Sequence, residues 1–328
     1  MTVQDAQMLE VEGLTVEIEL RRSTVRPVDD VSFSIGPGQT VGLVGESGCG
    51  KSTIALALLG LLPAGGRIAE GRIRLGGQEL TALDEEGMRD VRGNRIGVVF
   101  QDPLTSLNPT MTIGDQVGEP LRIHQNASRR AARDRAVELL QLVGLPSPSR
   151  QLDRYPHQLS GGMRQRISIA TALACNPALL IADEPTTALD VTTQDQILEL
   201  FGRLKRELDM AVLLITHDMG VVAAQADWVL VMYAGKLVEV GTIDRTFYET
   251  QHRYTEALLK SIPRLTTSKR EELYSITGRP PDLARPPAGC RFAPRCAWAT
   301  EECRASLPEL LGGTEHAFAC IHPVGTAT

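Results

Sequence analysis

The sequence predicts an α/β fold, and two observations carry that prediction. Short apolar segments typical of buried strands alternate along the chain with segments of helical periodicity. One strand-to-helix junction, residues 45–52, fits the phosphate-binding pattern G-x-x-x-x-G-K-[ST]. With 328 residues, the chain can form one large domain or two modest ones.

The junction at residues 45–52 predicts a cradle for the phosphates of a nucleoside triphosphate. An apolar strand, Gln39 to Val44, precedes it, and a helix rich in alanine and leucine, Ser52 to Leu62, follows it. The glycines let backbone N–H groups and the positive end of the helix dipole face one anion. The lysine adds a charge at the outer phosphates, and the serine after it offers a hydroxyl ligand for Mg²⁺. The nucleotide-binding residues predicted here are Gly45, Glu46, Ser47, Gly48, Cys49, Gly50, Lys51, Ser52 and Thr53.

The composition argues against some classes of protein. A formal net charge of -6 disfavours a chain whose main task is coating nucleic acid. No segment approaches the ~18 to 20 apolar residues needed to cross a bilayer, and Met1 to Glu12 carries acids instead of a targeting signal. We therefore expect a cytoplasmic protein with no transmembrane segment of its own and no nucleic-acid partner.

The N-terminal part of the chain predicts a β-rich region. Two alternating segments predict an antiparallel ribbon ahead of the phosphate loop, and a third strand and a charged helix follow the loop. A buried strand then ends before Pro103, which leaves Gln101 at the strand terminus. The predicted strands are Met8 to Leu20, Val28 to Ile35, Arg67 to Leu75 and Ile96 to Phe100, and the predicted helix is Asp84 to Arg92.

The middle of the chain predicts an inserted helical subdomain at about residues 102–175. Apolar residues recur at helical spacings between Met111 and about Tyr155, most clearly from Arg129 to Val143. Ser160 can then cap a helix that runs to about Cys175.

A pair of acids follows this subdomain. The apolar strand Ala178 to Pro185 delivers Asp183 and Glu184 at its carboxyl end, which is where ligands bind in open α/β sheets. An amphipathic helix comes next, and then a strand that ends beside His217 and a hairpin turning at Ala234-Gly235. The helix spans Thr193 to Leu208, the strand Ala211 to Ile215, and the hairpin strands Trp228 to Tyr233 and Lys236 to Val240.

Taken in order, these motifs resemble those of an ATP-binding cassette (ABC) ATPase subunit of a bacterial di- or oligopeptide importer. The resemblance covers nearly the whole chain. It rests on the phosphate loop, Gln101, Leu159-Ser160-Gly161-Gly162, Leu180 to Glu184, Ala188-Leu189-Asp190 and His217. The narrower resemblance to the peptide and nickel importer group rests on Phe100 to Pro109 and on His252-Arg253-Tyr254-Thr255 with a cysteine-bearing tail. The resemblance to ABC ATPases implies a P-loop NTPase fold of the ABC type over residues 1–250. This fold would have a RecA-like core, an antiparallel β-subdomain and the inserted helical subdomain.

The resemblance implies a hydrolytic role for several residues. Ser52, Gln101 and Asp183 would surround Mg²⁺ beside the bound ATP. Glu184 would polarise the attacking water, and His217 would orient the γ-phosphate and that water. Gln101 would also join this network to the helical subdomain.

The resemblance further implies that two cassettes act together. Ser160, Gly161 and Gly162 would reach the nucleotide held by a second cassette, and Asp190 would lie across the same interface. The expected partners are a second homologous ABC ATPase subunit, two transmembrane permease subunits and an extracytoplasmic substrate-binding protein. The chain would then work at the cytoplasmic face of the membrane.

The activity implied is ATP hydrolysis that powers the import of di- or oligopeptides. We expect the apolar side chains of Leu104, Leu107 and Met111 to line a groove for a helix of a permease. Import of nickel or another small solute is an alternative. An ABC ATPase of the DNA-repair type is a weaker one, since the sequence has neither long heptads nor a second cassette.

The C-terminal part of the chain predicts a metal centre. Residues 251–289 predict a helix and a stiff proline-rich linker that does not pack. Residues 290–328 have too few apolar side chains for a self-sufficient core, so a metal would supply the crosslink. The predicted ligands are Cys290, Cys296, Cys303 and Cys320.

The resemblance favours a [4Fe-4S] cluster at these cysteines, because four thiolates are its usual ligands. Zn²⁺ is the alternative, with His316 or His322 in place of one thiolate. Arg291 and Arg295, beside the ligands, would partly offset the negative charge of such a centre.

Overall fold

The computed structural model describes residues 7–102, 106–187, 189–262 and 274–325. The chain forms two compact units. The first comprises Met1–Glu10, Ser34–Thr40 and Arg74–Leu214, and the second Val11–Phe33, Val41–Ile73 and Ile215–Thr328.

The strands and helices of the described residues are numbered in chain order. The strands are β1 (Leu9–Leu20), β2 (Ser23–Ile35), β3 (Thr40–Val44), β4 (Gly66–Leu75), β5 (Gln78–Glu79), β6 (Ile96–Val99), β7 (Leu179–Asp183), β8 (Ala211–Thr216), β9 (Trp228–Tyr233), β10 (Lys236–Thr242), β11 (Leu311–Gly312) and β12 (His316–Phe318). The helices are α1 (Lys51–Leu58), α2 (Glu85–Val91), α3 (Ile113–His124), α4 (Arg129–Leu142), α5 (Pro148–Gln151), α6 (Gly161–Ala172), α7 (Val191–Leu208), α8 (Met219–Gln225), α9 (Ile243–Tyr248), α10 (Arg253–Lys260) and α11 (Glu301–Ala305).

The second unit contains the strand that leads into the phosphate loop. This strand, β3, runs parallel to β9. β9 and β10 form the predicted antiparallel hairpin, in which Tyr233 pairs with Lys236 across the turn. β12 pairs antiparallel with β10, and β11 pairs antiparallel with β12. The C-terminal segment therefore extends the sheet of this unit.

Aromatic side chains form the centre of the core of the second unit. The ring centroid of Tyr233 lies 4.5 Å from that of Tyr254 and 5.3 Å from that of Phe292. Ile276, just before the proline-rich linker, and Leu283, within it, pack against the same cluster. The sequence predicts an unpacked linker from about Arg279 to Gly289, and that prediction is wrong at Leu283. Each apolar side chain gains from leaving water, and the core offers it a partner.

The first unit carries the helical insertion. β6 and β7 run parallel, with Ile96 opposite Leu179. Helices α3, α4 and α6 pack on one another. Each begins at a residue whose side-chain oxygen accepts a backbone N–H, namely Thr112, Ser128 and Ser160. Capping thus fixes where the helices start, as the sequence predicts for Ser160.

Burial corrects one expectation in the first unit. Leu107 is only 4% exposed, so its side chain belongs to the core and does not line an open groove. Met111 is half-buried, and Leu104 lies outside the described residues. An apolar side chain near a turn can face the core or the solvent, and the local sequence does not show which of the two it does.

Candidate functional site

The phosphate loop joins β3 to α1 within the second unit. Gly45, Gly48 and Gly50 all have positive φ, at 155°, 79° and 113°. A Cβ on Gly45 would lie 2.1 Å from the carbonyl oxygen of Met232, and one on Gly50 would lie 1.9 Å from that of Pro27. At these two positions the loop requires glycine for space as well as for conformation.

Lys51 and Cys49 are buried within the loop, whereas Ser52 is exposed at the start of α1. The ammonium group of Lys51 donates to the carbonyl oxygens of Gly45 at 2.7 Å and Glu46 at 3.1 Å. Burial raises the pKa of the Cys49 thiol, which therefore stays protonated at neutral pH. The ammonium group of Lys51 is thus held inside the loop by two of the loop's own carbonyl oxygens, and the Cys49 side chain fills space beside it.

Residues near the C-terminus hold the loop at Glu46. The backbone N–H of Glu46 donates to the hydroxyl of Tyr254 at 2.8 Å. The guanidinium of Arg295 donates to both carboxylate oxygens of Glu46, at 2.5 and 3.0 Å. In the sequence, Tyr254 is distinguished only as part of a family motif and Arg295 only as a neighbour of a cysteine. Neither pattern indicates a contact with the loop, because the partners are more than 200 residues apart.

His217 follows β8 in the second unit, and its side chain is exposed. The next residue, Asp218, caps α8 by accepting from the backbone N–H groups of Gly220 and Val221 at 2.8 and 3.3 Å. The N–H of Asp218 donates to the hydroxyl of Thr216 at 3.0 Å. His217 therefore lies on a short turn that is fixed on both sides.

The two acids lie at the end of β7 in the first unit, as predicted. Glu184 has φ of 48°, in the left-handed region that a residue other than glycine seldom adopts. Its Oε2 accepts from the amide of Gln101 at 2.9 Å and from the hydroxyl of Thr187 at 3.0 Å. The first unit thus brings Gln101 to Glu184, and the uncommon backbone conformation is of the kind found at functional residues.

The segment Leu159 to Gly162 and the residue Asp190 also lie in the first unit. The oxygens of Asp190 accept from the N–H and the hydroxyl of Thr193, at 3.0 and 2.7 Å. These hydrogen bonds lower the pKa of Asp190 below its ordinary value. A Cβ on Gly162 would lie 2.6 Å from Thr193 Cγ2, so glycine lets the start of α6 approach α7 closely. One residue, Thr193, therefore links both motifs.

The four C-terminal cysteines line one small cavity of the second unit, together with residues that include His252, Arg253 and His322. Burial raises the pKa of Cys290 to about 11 and also raises the pKa of the Cys296 and Cys320 thiols. The fold thus brings the four predicted cysteine ligands to one cavity. Even so, no group of three or more His, Cys, Asp or Glu side chains among the described residues has the arrangement of a metal site.

The two histidines named for the zinc alternative differ in position. His322 lines the cysteine cavity, and its ring lies 2.9 Å from the hydroxyl of Thr300. His316 does not line the cavity, and its Nε2 lies 2.8 Å from a carboxylate oxygen of Glu239. Of the pair, only His322 is placed to replace a thiolate.

Within the described ranges, none of the helices could span a membrane.

Two family models match the chain. Residues 28–187 match the model described as ABC transporter, and residues 238–303 match that described as oligopeptide/dipeptide transporter, C-terminal region.

Similar proteins are found over most of the chain. The chain is 53% identical over 291 residues to the dipeptide transport ATP-binding protein DppD of Bacillus subtilis (strain 168), covering 88% of this chain and 87% of that one. It is 50% identical over 298 residues to the oligopeptide transport ATP-binding protein OppD of the same strain, covering 90% and 83%. Among solved structures, it resembles the ATP-binding cassette MJ0796, a dimer bound to ADP and Pi. That likeness has a TM-score of 0.65 at 30% identity and covers 72% of this chain and 99% of the other.

Proposed function

Since the chain belongs to the ABC transporter family of ATP-binding proteins, we propose that it hydrolyses ATP to power the import of di- or oligopeptides. Relatives named for dipeptide and oligopeptide transport match most of its length, which supports the peptide as cargo. The observation that carries hydrolysis is the setting of Glu184. Its carboxylate accepts hydrogen bonds from Gln101 and Thr187 while its backbone adopts an uncommon conformation.

Each motif has a role in this proposal. The glycines and Lys51 would bind the phosphates. Ser52, Gln101 and Asp183 would hold Mg²⁺, which would supply positive charge against the negative charge that develops in phosphoryl transfer. Glu184 polarises the attacking water, with Gln101 fixing its carboxylate. His217 orients the γ-phosphate and the water.

Ser160, Gly161, Gly162 and Asp190 serve a second cassette in this proposal. The exposed N-terminus of α6 has the N–H groups and the dipole that favour an anion. A homologous second subunit would supply the nucleotide that they bind. Two permeases and an extracytoplasmic binding protein complete the assembly, and the chain associates with the membrane through the permeases.

Replacing Glu184 with glutamine tests the hydrolytic role. The amide keeps the shape but lacks the charge that polarises water, so the turnover of MgATP should fall by ~100-fold or more while ATP binding persists. Glu199→Gln makes the same chemical change at an exposed position of α7 and should leave turnover unaltered. Phosphate release and equilibrium nucleotide binding measure the two quantities. Unchanged turnover in Glu184→Gln would remove this residue from the mechanism.

The four C-terminal cysteines hold a [4Fe-4S] cluster in this proposal, with Zn²⁺ as the alternative. The donor set suits either group, because four cysteine side chains line one cavity and thiolates are ligands of both iron-sulfur clusters and zinc. A bound cluster would crosslink a segment that carries few apolar side chains. Nothing in ATP hydrolysis requires electron transfer, so the role assigned to the group is structural or redox-sensing.

Purification without air distinguishes the two groups. The protein should be brown and contain about four iron and four sulfide per chain, as the cluster requires. A colourless protein with one tightly bound zinc would replace the cluster by a zinc site. A Cys303→Ser variant, which removes one predicted ligand, should lose the colour, whereas Cys175→Ser, a buried cysteine of the first unit, should keep it.

A further inference from the structure

Glu46, in the phosphate loop, is held by residues far away along the chain. Its N–H donates to the Tyr254 hydroxyl, and its carboxylate accepts two hydrogen bonds from Arg295. Its carbonyl oxygen accepts from Lys51 Nζ at 3.1 Å. Every polar group of Glu46 therefore has a partner, and two of these partners lie beyond residue 250. The sequence separations are 208 and 249 residues.

Arg295 is itself fixed on several sides. Its side chain is only 4% exposed. Its Nε donates to the carbonyl oxygen of Thr277 at 2.9 Å, its Nη2 to that of Ile276 at 3.2 Å, and its Nη1 to the Tyr233 hydroxyl at 3.2 Å. The hydrogen bond to Glu46 raises its pKa further above the ordinary value. Since a planar guanidinium held this way meets a carboxylate with two parallel bonds, the pair differs from a loose surface salt bridge.

The same short segments also border the cysteine cavity. Arg295 immediately precedes Cys296, which lines that cavity. Tyr254 follows Arg253, whose guanidinium lies 4.3 Å from the ring centroid of Trp298 and donates to the His322 carbonyl oxygen at 3.0 Å. Neighbouring residues thus contact the phosphate loop on one side and the cysteine cavity on the other.

We propose that Arg295 is a positioning residue that couples the cysteine-bearing segment to nucleotide binding, because it holds the phosphate loop through Glu46. The inference rests on the proposed function of that loop as the ATP site. Coupling between two sites is reciprocal, so nucleotide binding stabilises the C-terminal segment as much as the segment favours nucleotide.

Arg295→Ala in the full-length protein tests the coupling. The dissociation constant of a fluorescent ATP analogue with Mg²⁺ should rise by about 5- to 20-fold, a usual range for coupled sites. KM for MgATP should rise by the same factor, while kcat changes by less than about twofold, since Arg295 does not touch the reacting atoms. The dissociation constant of Arg295→Lys should lie between those of the unaltered protein and Arg295→Ala. An ammonium offers one point of charge where the guanidinium offers two parallel donors.

Arg304→Ala is the matched control. Arg304 lies in the same C-terminal segment but pairs with Glu301 inside α11, at 3.2 Å. Its removal should leave nucleotide affinity unaltered. Equal weakening by both arginine variants would mean that general damage to the segment, and not the contact with Glu46, sets the affinity.

A double-mutant cycle tests whether Arg295 acts through Glu46. The variant Glu46→Ala with Arg295→Ala should bind the analogue no more weakly than Glu46→Ala alone, since the second change removes a partner already lost. Additive losses would overturn the proposal. The reciprocal effect is read in the unaltered protein, where MgATP should slow amide hydrogen exchange in residues 290–303. No slowing there would also overturn it.

The outcomes separate this inference from the function on which it rests. An unaltered protein that fails to bind the analogue refutes the ATP site. If the unaltered protein and Arg295→Ala bind the analogue with the same dissociation constant, the coupling is refuted and the ATP site is not. Thermal unfolding of each variant confirms that the loss of affinity belongs to a folded protein.

Discussion

Replacing Gly50 with alanine tests the geometry of the phosphate loop. Gly50 has φ of 113°, and a Cβ there would lie 1.9 Å from the Pro27 carbonyl oxygen and 2.7 Å from Met232 Cε. Gly48 also has a positive φ, of 79°, but its Cβ would meet nothing within 4 Å. The two alanine variants therefore separate the cost of the backbone conformation from the cost of a collision.

The expected magnitudes follow from these contacts. A positive φ costs an L-residue about 1–2 kcal/mol, and both variants bear that cost. The collision at Gly50 adds about 1–3 kcal/mol, because the obstructing carbonyl belongs to the backbone and cannot rotate away. Gly48→Ala should then lower the free energy of unfolding by about 1–2 kcal/mol and Gly50→Ala by about 2–5 kcal/mol. At a urea slope of about 2 kcal/mol/M, the midpoints should differ by about 0.5–1.5 M.

Tryptophan fluorescence during urea unfolding measures this difference. Both tryptophans of the chain, Trp228 and Trp298, belong to the second unit, which also contains the loop. Gly313→Ala is a control in the same unit, because Gly313 has neither a positive φ nor a neighbour within 4 Å. Equal losses in the Gly48 and Gly50 variants would refute the argument from the Pro27 contact.

Two further predictions concern Leu107 and Cys49. Leu107→Ala should lower the free energy of unfolding by about 2–5 kcal/mol, whereas Ile123→Ala, at a side chain 60% exposed, should change it by less than about 0.5 kcal/mol. Far-UV circular dichroism in urea checks both variants, and equal effects would contradict the burial of Leu107. Iodoacetamide should label Cys49 more slowly than a free thiol at pH 8, and faster as the pH rises beyond 9, because burial raises the thiol pKa and the thiolate is the reacting form. Peptide mass mapping follows this labelling, and rapid labelling at pH 7 would contradict it.

The sequence predicts the elements near the phosphate loop well, because local patterns determine them. The turn at Ala234-Gly235 between two apolar segments identifies the hairpin of β9 and β10, and the spacing of glycines identifies the turn before α1. Side-chain caps such as Ser160 give the helix starts. The ends of helices and strands depend on packing against other elements, which local patterns do not show. Helix α1 stops at Leu58 and not at the predicted Leu62, and β2 begins at Ser23 and not at the predicted Val28.

Long-range partners are what the sequence does not predict. Arg291 and Arg295 flank predicted cysteine ligands, and their position suggests that they offset the charge of a metal centre. In the structure Arg291 pairs with Asp29 and with the Ala234 carbonyl oxygen, while Arg295 pairs with Glu46. Each guanidinium thus pairs with a carboxylate far away along the chain, and the offset of a metal centre's charge stays a prediction. Adjacency along the chain says nothing about which way a long side chain points once its segment packs on a distant strand.

Glu239 shows that hydrogen bonds, as well as strand pairing, fix the C-terminal segment. Its carboxylate is fully buried, which is costly unless hydrogen bonds replace water. It accepts from the backbone N–H groups of Gln251 and His252, at 2.7 and 3.0 Å, and lies 2.8 Å from Nε2 of His316. His316 belongs to β12, so removing it would leave a buried oxygen with one partner fewer. His316, the alternative zinc ligand in the sequence, thus has a different task in the structure, which is to join β12 to β10.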